Sequence, residues 1–128
     1  MLIDYEISKG IIIIHMGNEK IDNQLTGEVS LDTKNSHLLD NIFEELIPKG
    51  HFNYVLDLQN ISYVYSYGIS VIVNTYKYLL ERDGMIKILN PSSFVSNLLD
   101  TLKMFSIFDV FEDKKKAVKS FKTKSLFK

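Results

Sequence analysis

Four consecutive isoleucines, Ile11, Ile12, Ile13 and Ile14, constrain the fold of this chain more than any other feature. β-Branched side chains are stiff at χ1 and suit a pleated sheet better than a helix. An unbroken apolar run also leaves no polar face for solvent, so the segment predicts a strand inside a sheet, covered on both sides. Before it, Leu2, Ile3, Tyr5 and Ile7 nearly alternate and Lys9-Gly10 supplies a turn, which predicts an N-terminal hairpin.

A doubly covered strand needs helices, and the following residues provide them. Asp32 or Thr33 is placed to cap a helix whose apolar positions Leu38, Leu39, Ile42, Phe43, Leu46 and Ile47 stop at Pro48-Lys49-Gly50. Tyr54, Val55, Leu56 and Leu58, interrupted only by Asp57, read as a second buried strand leading into a functional edge. Ile69, Ile72, Val73, Tyr76, Leu79 and Leu80 form a helical stripe ending at Asp83-Gly84, and its length outweighs the strand preference of its β-branched members. Residues 85–89 predict another strand, and Asn90-Pro91-Ser92 starts a helix with Pro91 in its first turn and Val95, Leu98, Leu99 and Leu102 buried. Ile107, Phe108 and Val110 predict a short strand, and the Lys-rich segment a closing helix. Between residues 17 and 31 the pattern is weak, with turn signals at Gly17-Asn18 and Asp22-Asn23 and one short strand over 24–31.

The order strand, strand, helix, strand, helix, strand, helix, strand, helix predicts an α/β fold. The expectation is a mixed sheet of four to six strands with about four helices, largely on one face. At 128 residues, without a linker or internal repeat, the chain is expected to form one domain over 1–128, with 118–128 a basic tail prone to fraying.

Several function classes lose support at this point. There are no cysteines, so no disulfide framework or thiolate metal site exists. His15, His37 and His51 lack the close spacing of a helical zinc pair and read as isolated polar positions. No Gly-rich phosphate loop is present and no serine is flanked by glycines at a nucleophile elbow, so neither a cofactor nor an enzymatic activity is expected. The N-terminus carries no basic n-region or cleavage site, and no apolar run approaches the roughly 20 residues of a membrane span, which leads us to expect a soluble cytoplasmic protein without membrane insertion. From Glu112 to Lys128 seven lysines face two acids. Lys114, Lys115, Lys116, Lys119 and Lys122 surround Ala117, Val118 and Phe121, as on a solvated helix face, and the excess falls short of a nucleic-acid-binding surface.

The remaining feature is the strand-to-helix junction from Asp57 to Ile69, which contains Ser66-Tyr67-Gly68. A serine at a helix start can cap the free N–H groups of the first turn, and that role alone would explain Ser66. The same place also suits a charge switch, because the positive end of a helix dipole tolerates a phosphate while its negative charge projects onto any docked surface.

Asp57-Leu58-Gln59, then Ser66, Gly68 and Ile69, resemble the STAS family pattern of a strand ending in Asp-Leu-Ser followed by Asp-Ser-Ser-Gly-Leu-Gly and an amphipathic helix. Gly84, Asn90-Pro91-Ser92, Val95, Leu98-Leu99 and Phe105-Ser106-Ile107-Phe108 are similar to the family's second half, and Gly27-Glu28-Val29 to its Gly-Glu-Leu-Asp. The resemblance is to the anti-sigma factor antagonists. It implies a non-enzymatic regulator in partner switching and transcription control, which binds an anti-sigma factor with serine kinase activity. Phosphorylation of Ser66 would end that binding and a serine phosphatase would restore it. The implied contact surface is Tyr63, Tyr65, Ser66, Tyr67, Gly68 and Ile69. Tyr65 stands where the family has Asp, Tyr67 where it has a second Ser or Thr, and Ser70 where it has Gly. Two alternatives stay open: a STAS interaction scaffold without the phospho-switch, and a module binding a small ligand, nucleotide or lipid.

Overall fold

A computed structural model describes residues 1–121. The predicted hairpin forms as antiparallel strands β1 (Leu2–Ser8) and β2 (Ile11–Gly17). Its turn places Lys9 at φ 53° and Gly10 at φ 81°, the positive values that match the twist of a two-residue hairpin loop. The weakly patterned stretch holds three short strands instead of one, β3 (Glu19–Ile21), β4 (Gln24–Thr26) and β5 (Val29–Leu31). Asp22-Asn23 makes the β3–β4 turn, and Gly27, at φ 83°, ends β4 before β5 can begin. These strands are too short for their side-chain pattern to show in the sequence.

Helix α1 (Ser36–Leu46) begins later than predicted. Asp32 does not cap it: its Oδ1 accepts from the N–H groups of Lys34 and Asn35, forming a turn ahead of the helix with Asn35 at the cap position. After a single 3-10 turn, Ile47–Lys49, come β6 (Asn53–Asp57) and the unpredicted β7 (Ile61–Val64). Then follow α2 (Ser66–Leu80), β8 (Met85–Leu89) and α3 (Ser93–Thr101). Pro91 precedes α3 rather than entering its first turn, and Ser92 caps it by accepting from Val95 N–H at 3.2 Å. The predicted strand at Ile107 to Val110 is displaced. Phe108 is buried in the core, its ring 5.0 Å from Tyr76, and only β9 (Val110–Phe111) is extended. Helix α4 (Lys114–Lys119) buries Ala117 and Val118 and exposes its lysines, as a solvated face should. Val118 and Lys119 are thus helical, and the rest of the expected tail from Lys122 onward lies outside the described residues.

The main sheet has the order β1-β2-β6-β8-β9, with β1 antiparallel and the other neighbours parallel. Ile12 and Ile14 face α1, α2 and α3 in a core with Leu39, Phe43, Leu56, Ile72, Leu79, Ile88 and Val95. Ile11 and Ile13 face the other way, with Val55 and Leu89, under Ala117 and Val118 of α4. The isoleucine run is therefore covered on both sides, each buried side chain contributing about 1.5–3 kcal/mol. The architecture falls within the expected mixed sheet of four to six strands: five strands, with four helices among the described residues, three on one face and one on the other.

Candidate functional site

Strand β7 pairs in parallel with β5, Val29 opposite Ile61 and Leu31 opposite Val64, and this small ladder carries the start of α2. Asn60, just before β7, fixes its entry: its side-chain amide donates to the carbonyls of Met16 and Leu25, both at 2.9 Å, and its own carbonyl accepts from Val29 N–H. From the other side Ser92 Oγ donates to Ile61 O at 3.2 Å, tying the start of α3 to β7.

Tyr65 is the cap residue of α2, extended at φ −84° and ψ 171°, and its carbonyl accepts from Ile69 N–H at 3.0 Å. Ser66 is the first helical residue, exposed, and no side chain caps the helix. Among the described residues its hydroxyl has no hydrogen-bond partner, so the capping role open to it in the sequence is not the one it takes. Gly68 is buried. A Cβ there would stand 3.0 Å from side-chain carbons of Leu31 and Val64, so any larger residue would have to push those side chains aside for this turn to sit on the β5–β7 ladder. Ile69 is half-buried beside the core.

Tyr63, Tyr65 and Tyr67 flank the serine along the chain and are 38%, 51% and 44% exposed, so each presents part of its surface to solvent. The Tyr63 and Tyr65 rings meet edge to face with centroids 4.9 Å apart. No charged residue occurs from Leu58 to Tyr76, so this segment itself offers phenols rather than charges. The Ser66 hydroxyl meets no base that could activate it as a nucleophile, yet it stands at the positive end of a 15-residue helix whose first N–H groups lack intrahelical partners.

A second polar cluster lies at the ends of β1, β2 and β6 and the start of α4. His15, read as an isolated position, has Nδ1 2.8 Å from Asp57 Oδ2 and Nε2 2.7 Å from Glu6 Oε2, and Lys114 Nζ reaches Glu6 Oε1 at 3.1 Å. Buried Asp57 also accepts from the backbone N–H of Gln59 at 3.1 Å and its side-chain amide at 3.2 Å. Hydrogen bonding to Asp57 raises the His15 pKa against the effect of burial, and hydrogen bonding from His15 lowers that of Glu6. The cluster borders a cavity of about 460 Å³ that Asn23, Gln24 and Asn90 also line. His37 and His51 do not join it, and no group of three metal-ligating side chains forms among the described residues. Nor is any helix there long and apolar enough to cross a membrane.

The family model for the STAS domain matches residues 3–117. An anti-sigma F factor antagonist of Paenibacillus polymyxa is 24% identical over 117 residues, covering 91% of each chain. A crystal structure from Thermotoga maritima, of a protein provisionally assigned as an anti-sigma factor antagonist, superposes with a TM-score of 0.78 at 22% identity, covering 91% of this chain and 92% of that one. The anti-sigma factor antagonist SpoIIAA in its unphosphorylated form gives 0.74 at 14% identity, over 95% and 97%. The phosphorylated form of the Bacillus protein gives 0.67 at 13%, over 94% and 99%. At these identities the structural likeness establishes the shared fold.

Proposed function

The chain belongs to the STAS domain family, and from that premise we propose that it acts as an anti-sigma factor antagonist switched by phosphorylation of Ser66. Unphosphorylated, it binds an anti-sigma factor that is also a serine kinase; phosphorylated, it lets go, and a serine phosphatase resets it. The observation that carries this reading is the exposed hydroxyl of Ser66, free of any capping bond and flanked by three exposed tyrosines. A phosphate there adds about 1.5–2 negative charges. The helix end tolerates it, whereas a partner docked on the phenols would have to desolvate it. That SpoIIAA, which shares this fold, takes both forms is consistent with such a switch.

In this reading Tyr63, Tyr65, Ser66 and Tyr67 make the contact and Gly68 and Ile69 support it from beneath. On this proposal the domain acts in the cytoplasm, catalyses nothing and uses no cofactor. A constitutive interaction scaffold is the second reading, favoured by the phenols of Tyr65 and Tyr67, which crowd the approach of a kinase to Ser66. Calorimetry with the anti-sigma factors of the same genome separates the two. The switch requires one of them to bind the wild-type chain and Ser66→Ala alike, with affinity falling at least about tenfold, or 1.4 kcal/mol, in Ser66→Asp. Binding indifferent to Ser66→Asp supports the scaffold.

A further inference from the structure

We propose that His15 is a protonation-operated clasp that, as imidazolium, ties β1 and the first turn of α4 to the carboxyl end of β6. The argument is one of donors and acceptors. Asp57 and Glu6 both present carboxylate oxygens to the ring, at 2.8 Å and 2.7 Å. Neutral imidazole has a single N–H, so it satisfies only one of them, and both bonds coexist only when the ring is charged. On deprotonation Asp57 keeps its bond, because it is buried and held in place by Gln59. Glu6, 43% exposed at its side chain, is free to turn to solvent.

Glu6 is also the anchor of Lys114, the first residue of α4. A helix of six residues does not persist by itself. Beyond Ala117 and Val118, α4 is held at one end by Lys114 and by the Asp113 cap, which accepts from Lys115 N–H at 2.9 Å, and at the other by Ser120, whose hydroxyl accepts from Lys87 Nζ at 2.7 Å. The charged groups around the ring are Glu6 and Asp4 of β1, Asp57 of β6 and Lys114 of α4, with Lys20 of β3 held 3.6 Å from Asp4.

The signs follow from the two shifts. The His15 pKa is raised from 6.5, so its contribution is complete below 6.5 and is lost as pH rises through the folded-state value. That of Glu6 is lowered from 4.5, so its contribution is complete above 4.5 and is lost as pH falls through its folded-state value. The clasp is fully closed between these ordinary values and opens on the alkaline side. None of this depends on modification of Ser66.

The test on the full chain follows the His15 ring nitrogens by NMR from about pH 5 to 8, with exchange of the hydrogen-bonded first-turn amides of Lys115 and Ala117 corrected for intrinsic rates. We expect His15 to stay doubly protonated above 6.5. Protection of the first turn of α4 should fall roughly two- to fivefold through the same midpoint, the scale of an exposed ion pair. Glu6→Gln should lower the midpoint, and His15→Gln should abolish the step. Should His15→Gln not fold, Glu6→Gln decides. A neutral His15 at pH 6.5, a midpoint unmoved in Glu6→Gln, or α4 protection without a step at the His15 midpoint would each overturn the proposal.

Discussion

The backbone N–H of Tyr65 donates to the carbonyl of Leu31 at 2.8 Å. The residue preceding Ser66 is thereby fixed to β5, outside the main sheet, and Gly68 one turn on packs against the same leucine. The position of the Ser66 hydroxyl thus depends on how closely the first turn of α2 approaches Leu31.

Gly68→Ala tests that approach. The added methyl meets Leu31 and Val64 carbons at 3.0 Å, and overpacking of this kind costs about 1–3 kcal/mol. Ala is favoured over Gly within a helix by about 1 kcal/mol, so the two effects oppose each other. We expect net destabilisation, seen as a lower urea midpoint with an unchanged slope. An unchanged or higher midpoint would show that the helix start is not seated as described.

Asn60→Ala removes both donors of one amide, leaving the carbonyls of Met16 and Leu25 without it. A loss of roughly 1–3 kcal/mol follows if those acceptors are left unsatisfied. Hydrogen exchange should rise first in β4, β5 and β7, where Asn60 joins the small ladders to β2. A uniform change across all strands would argue against this local role.

Tyr65→Ala and Tyr67→Ala should leave the unfolding midpoint nearly unchanged, because both rings are substantially exposed. Anti-sigma factor binding should weaken by about 1–2 kcal/mol for at least one of them, as buried aromatic anchors do when truncated. Equal affinity in both variants would place the docking surface elsewhere.

The legible parts of the fold were those with long, local patterns. The isoleucine run specified β2 and its double cover, and the stripe from Ile69 to Leu80 specified α2. Strand β7 escaped because four residues ending in Tyr-Val carry little periodicity, and its partner β5 lies about thirty residues earlier. The start of α1 was misplaced because Asp32, a good cap residue, forms a turn of its own. The place of Ser66 at a helix start is readable from the pattern, whereas its lack of a capping bond is not. The His15 cluster leaves a trace in the sequence: His15 and Asp57 are polar interruptions at the ends of two buried apolar runs, and parallel pairing sets them opposite each other.

Intact mass after incubation with ATP and the cognate anti-sigma factor kinase tests the central claim most directly. The account predicts a single phosphate on the wild-type chain, none on Ser66→Ala, and loss of complex in step with the modification. A chain that stays unmodified while bound to that kinase, or a phosphate that persists in Ser66→Ala, would contradict it.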